Sequence, residues 1–144
     1  MRGETESGPP APAFWPGSAQ YRPMEPGDPE FPEVVCLCGS TRFKDAYRAE
    51  NKRLTLEGKV VLSVAFFGHA DGEAVAISGA EKERLDAVHK RKIDLADRVH
   101  VINVDGYVGE STRSEIDYAR ERAVPVTWLE PEHAPDGAGP SSGG

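Results

Sequence analysis

Cysteine and methionine are scarce in this chain, with two of each among 144 residues, and no apolar run approaches membrane-spanning length. The opening residues, Met1-Arg2-Gly3-Glu4-Thr5-Glu6, are polar and acidic, so neither a signal peptide nor a membrane helix is expected and the cytoplasm is the expected location. Lysine and arginine are outnumbered 17 to 24 by aspartate and glutamate, giving a net charge of −7. No basic face emerges, which argues against a nucleic-acid binding surface. Cys36 and Cys38 sit two apart in an expected strand and project from one face. A strand holds such a pair too far apart for easy bridging, and they lack His or Cys companions at zinc-ligand spacing. Small buried thiols are the expected reading.

The familiar nucleotide and hydrolase motifs are missing too. Gly39-Ser40-Thr41-Arg42 lacks the G-x-x-x-x-G-K spacing of a P-loop, and G-x-G-x-x-G does not occur. No serine elbow or Cys/His pair supports a hydrolytic triad. No His/Asp cluster has metal-ligand spacing, so neither metal nor cofactor is expected.

Proline is abundant, but only in one place: eight of the twelve prolines fall within residues 1–32. That stretch has no apolar periodicity, and the segment from His133 on is built of Pro, Gly, Ser, Ala and Asp. Such compositions bury little surface, so 1–32 reads as a disordered arm and 132–144 as a disordered tail. Phe14, Trp15 and Tyr21 leave open whether the arm is plain linker or docks on the fold or on another subunit. One modest domain is expected over residues 33–131.

Within it, Glu33 to Cys38 is a continuous apolar run ending at Gly39, the pattern of a strand buried on both faces of a parallel sheet. A helix follows to Glu57, with Phe43, Ala46, Tyr47 and Leu54 on one face and Gly58 as its stop. Lys59 to Val64 reads as a second strand. Ser78-Gly79-Ala80-Glu81 is a capping box, so a helix should run from Gly79 to about Ala96 with Leu85, Val88, Leu95 and Ala96 inward. His89 and Lys92 fall on the same stripe, snorkelling, meeting another subunit or serving a site. Val99 to Asn103 reads as strand three, Glu110 to about Arg122 as helix three and Pro125 to Leu129 as strand four. Alternating strands and helices predict a small three-layer, doubly wound α/β domain with a mostly parallel sheet of four to five strands, Rossmann-like in layout.

The carboxyl edge of such a sheet is where loops gather around a ligand. The turns expected there are Gly39–Phe43, Phe66–Asp71 and Asp105–Glu115, with Asp97 at the foot of strand three. Two carboxylates, several hydroxyls and aromatic rings suit chemistry at an anomeric carbon, where a carboxylate stabilises or bonds an oxocarbenium-like centre. Each residue also has a structural reading. Thr112-Arg113-Ser114-Glu115 is itself a capping box in which Glu115 serves only its own helix. Asp97 reads equally as a helix-end acid. Ser40, Thr41, Ser111 and Thr112 read as helix caps. Arg42 and His69 read as solvated surface.

Three features together resemble the nucleoside 2-deoxyribosyltransferase superfamily, including its 2′-deoxynucleoside 5′-monophosphate N-glycosidases. They are Gly39-Ser40-Thr41-Arg42-Phe43 after the first strand, Leu95-Ala96-Asp97 leading into the third, and a Gly/Ser-rich turn with Glu115 six residues after Gly109. The resemblance covers about residues 34–130. It implies Glu115 as the nucleophile on C1′ and Asp97 as an acid that positions the sugar or helps the base leave. It also implies substrate contacts from Gly39, Ser40, Thr41, Arg42, Phe43, His69, Gly109, Ser111 and Thr112, and a homo-oligomer. Gly109 stands where the transferases carry Asp and the nucleotide hydrolases Ser, and Asp117 stands where a small residue is usual.

The expected activity is cleavage or exchange of the N-glycosidic bond of a (deoxy)nucleoside or nucleoside 5′-monophosphate. The partner would be that small molecule, not nucleic acid or membrane. A non-catalytic nucleotide-sensing module on the same fold is the alternative, and a scaffold working through its proline-rich arm is a third.

Overall fold

Every residue of Val35-Cys36-Leu37-Cys38 is apolar because strand β1 (Val34–Gly39) is covered on both faces. The computed structural model describes residues 13–64 and 78–135. The chain divides into residues 1–32 and 33–144. In the first unit, residues 1–12 lie outside the described residues, so the disorder expected there concerns residues not described. Residues 13–32 form turns without helix or strand, and Arg22 grips Asp28 through two hydrogen bonds of 2.8 and 3.1 Å.

The second unit holds helices α1 (Lys44–Leu56), α2 (Gly79–Leu95) and α3 (Glu110–Glu121), and strands β1, β2 (Val60–Leu62), β3 (Arg98–Ile102) and β4 (Val126–Trp128). All strand pairs are parallel and the order is β2-β1-β3-β4. The fold is thus the small doubly wound α/β architecture expected, with four strands among the described residues. Val34 pairs with Val60, Val35 with Arg98 and Val99 with Val126. The chain steps outward from β1 to β2, then returns across it to β3. The direction of winding therefore reverses between β1 and β3, and their carboxyl ends form the crevice of the fold.

Side-chain alternation splits the core into two. Val35, Leu37 and Ile102 pack with Tyr47 and Leu54 of α1. Cys36, Cys38, Val99 and Val101 pack on the other face with Ile93 of α2 and with Ile116 and Ala119 of α3. Gly58, at φ 91°, ends α1 as its composition predicts. Ser78 and Glu81 close both arms of their capping box at α2.

The inner face of α2 differs from the expectation. Leu85, Val88 and Leu95 are exposed by 37, 48 and 66%, whereas His89 and Ile93 are buried. The inner face is taken by His89, which meets two thiols and a carboxylate, and by Ile93. Ala96 packs against the core as expected, and Leu85, Val88 and Leu95 turn out. At the C-terminal end, Pro131–His133 forms a short 3-10 turn, and Ala134 packs against the core where a tail was expected.

Candidate active site

Glu115 does not cap its helix. The N-cap of α3 is Gly109, with no side-chain cap, so Thr112 falls at the third helical position and Glu115 in the second turn. Its side chain turns inward beneath α2 and is 11% exposed. Oε1 stands 3.7 Å from Nε2 of His89. That same Nε2 lies 3.3 Å from Sγ of Cys38 and 3.7 Å from Sγ of Cys36. Three elements thus converge: two thiols from one face of β1, an imidazole from α2 and a carboxylate from α3. Both thiols are free and buried as expected, and the companions that they lack in local sequence arrive through the fold.

The electrostatics follow from this crowding. Burial raises the Glu115 carboxyl, against the pull of His89. For His89 burial disfavours the charged ring, but the bond with Cys36 and the charge of Glu115 outweigh it, and the net shift is upward. A hydrogen bond from the Cys38 thiol, helped by His89, brings Cys36 down to about 6. The same bond pushes Cys38 up.

Glu115 also lines a hollow of about 30 Å³ between α2 and α3, together with Asp86, Lys90, Ser111 and Ser114. The rim is laced by two ammonium–hydroxyl bonds: Lys82 Nζ donates to Ser111 Oγ at 3.3 Å and Lys90 Nζ to Ser114 Oγ at 3.2 Å. A larger, open hollow of about 350 Å³ is lined by Arg48, Asn51, Lys52, Thr55 and Leu56 of α1, on the opposite side of the sheet. It contains none of the clustered groups.

The loops after β1 and β3 do come together, as the crevice requires. Arg42 lies over the ring of Tyr107 at 4.2 Å, and Phe43 meets that ring edge-on at 5.9 Å. Tyr47 donates to the Gly39 carbonyl at 2.8 Å. Ser40 Oγ accepts from the Arg42 amide at 3.2 Å, while Thr41 is exposed. Gly109 faces Tyr107, with room for a Cβ only 3.2 Å from its hydroxyl. His69 and the rest of Phe66–Asp71 lie outside the described residues.

Asp97 is not brought to this crevice. It sits just before β3, at the amino end of the sheet, where its Oδ2 accepts from the Val34 amide at 2.9 Å and its own amide donates to the Val34 carbonyl at 2.7 Å. The parallel strands direct the helix N-termini and their loops to one edge, and the foot of β3 is the other edge. The structural reading of Asp97, an acid tied to the backbone, is the one its position supports.

Compared with protein-family models, curated proteins and solved structures, the chain matches none of them. Of the site residues, His89 was the one the sequence undersold, and its signal was there: a polar residue four before Ile93 on a helix whose buried stripe is otherwise thin.

Proposed function

We propose that this protein cleaves or exchanges the N-glycosidic bond of a (deoxy)nucleoside or nucleoside 5′-monophosphate, acting in the cytoplasm through a glycosyl bond to Glu115. The reading is supported by one observation above all: Glu115 is relieved of any capping duty and turned into a hollow beside His89. In this proposal the Glu115 carboxylate attacks C1′, the C1′–N bond breaks and its electron pair leaves with the base, which takes up a proton from solvent water. Water, or a second base, then attacks C1′ and frees the carboxylate. His89, when protonated, holds the carboxylate in its charged form. Asp86, which shares the hollow, takes the sugar-positioning part that its place in the fold denies to Asp97.

Lys90 and Lys82, the latter also paired with Asp86 at 3.1 Å, form with Ser114 and Ser111 an ammonium- and hydroxyl-bearing rim that would take a 5′-phosphate. The closed hollow has room for about one water, so a sugar enters only when these ammonium–hydroxyl links part. The exposed ridge of Leu85, Val88 and Leu95 on α2 supports a homo-oligomer as part of the same proposal.

The test incubates the protein with a panel of nucleosides and monophosphates, with and without an acceptor base, and follows free base by chromatography. Base release by wild type, reduced at least about a thousandfold in Glu115→Gln, is the expected result. Equal release by both proteins ends the proposal, and nucleotide binding without release by either assigns the chain to the sensing class.

A further inference from the structure

We propose that Cys36, Cys38, His89 and Glu115 form a binding site for a soft divalent cation of the zinc type. The inference goes beyond the glycosyl chemistry but shares Glu115 with it. A tetrahedral zinc ion with thiolate ligands at about 2.3 Å and an imidazole at about 2.0 Å sets neighbouring sulfur and nitrogen atoms roughly 3.5 Å apart. The two sulfur–nitrogen separations here are 3.3 and 3.7 Å. The imidazole–carboxylate separation is 3.7 Å, where a tetrahedral site needs roughly 3.3 Å. The ligand atoms of Cys36, Cys38 and His89 all fall within 4.8 Å of one another. The sulfur–nitrogen separations are thus within a few tenths of an ångström of those of a tetrahedral site, whereas the Glu115 carboxylate, which is not part of that group of three, has to swing in as the fourth ligand.

The donors are also held as ligands should be. β1 is the sheet strand between β2 and β3, and both thiols are wholly inaccessible. α2 and α3 each contribute one donor, so the four come from three elements fixed by the core. Two thiolates, an imidazole and a carboxylate form a soft, mixed set that favours zinc over magnesium or calcium. Of the four donors only Glu115 borders the hollow between α2 and α3, and this is the side from which the proposal has the cation enter. Binding displaces the thiol protons, and it engages the oxygen that the glycosyl reaction uses as nucleophile. A loaded site is therefore a silenced one, and the cation acts as an inhibitor of the activity proposed above.

The reduced, chelator-treated full-length chain is titrated with Co(II) and then with Zn(II). One equivalent of Co(II) should bind with a thiolate charge-transfer band and the strong visible absorption of a tetrahedral centre, and Zn(II) should displace it. Loss of second-shell partners costs metal sites roughly 10–100-fold, so Cys38→Ser or His89→Gln should weaken binding by at least about 100-fold. Far-ultraviolet circular dichroism shows whether each variant is folded. Should one not fold, a rise in the melting temperature of the wild-type protein on adding one equivalent of Zn(II) gives the same reading. Absence of stoichiometric binding, or binding without the charge-transfer band, overturns the site. Base release without metal binding sinks this inference alone; metal binding without base release by the metal-free protein sinks the glycosyl reading and leaves the site standing.

Discussion

Oε1 of Glu115 and Nε2 of His89 lie 3.7 Å apart although 26 positions separate them in the chain, and each is supplied by a different helix. The pair exists because α2 and α3 lie side by side on one face of the sheet, each with its N-terminus at the carboxyl edge. A carboxyl group buried next to an imidazole is a costly arrangement to keep without a use, since each group taken from water loses solvation that its neighbour only partly restores. Perturbed acids of this kind concentrate where chemistry happens.

Asp97→Ala separates the two edges of the sheet. Removing the acceptor of the Val34 amide should cost about 1 kcal/mol, read as a lower melting temperature. Base release per folded molecule should stay within about twofold of wild type, because the residue stands at the far edge. A collapse of activity in well-folded Asp97→Ala would show that the amino end of β3 takes part after all.

Glu33 accepts two hydrogen bonds from Arg98, at 3.0 and 3.1 Å, and pairs with Lys59 at 3.1 Å. The Arg98 bonds, aided by Lys59, pull its carboxyl from 4.5 down to about 2. A folded-state value below the unfolded one means that the stabilisation is complete above 4.5 and fades as the pH falls toward 2. Glu33 is partly exposed, so solvent screening limits the pair to about 1 kcal/mol. Denaturant melts should show Glu33→Gln less stable than wild type at about pH 6, and the gap should narrow at about pH 3. A gap that is constant with pH would mean that the carboxylate charge contributes nothing.

At Gly39 a Cβ would stand 2.8 Å from the Ile102 carbonyl oxygen and 3.0 Å from its Cβ. The first of these is backbone of the adjacent strand and cannot swing away. Gly39→Ala should therefore destabilise by roughly 1–3 kcal/mol, measured by thermal or urea unfolding. An unchanged midpoint would show that β1 and β3 separate at that end without cost.

The outline of the fold was legible because it is written in local patterns. Continuous apolar runs marked β1 and β3, and Ser78 with Glu81 marked the start of α2. Gly58 and the 3.6-residue spacing of Tyr47 and Leu54 marked the end and the face of α1. The site was legible only in part. Glu115 and the turns at Gly39–Phe43 and Gly109 follow from position at the carboxyl edge. The inner face of α2 does not, because hydrophobic spacing pointed to Leu85 and Val88, whereas His89 is the residue packed against β1. Asp97 stands at the foot of β3 as expected, but in a parallel sheet that end is the amino edge, away from the turns it was grouped with.

The Asp97–Val34 ladder and the Arg98–Glu33 clasp together anchor the bottom of the sheet, a full strand length from the crevice above. A chain so divided can be tuned in halves. Libraries confined to the lower seam would move heat tolerance while leaving ligand preference alone, and libraries in the upper turns would do the reverse.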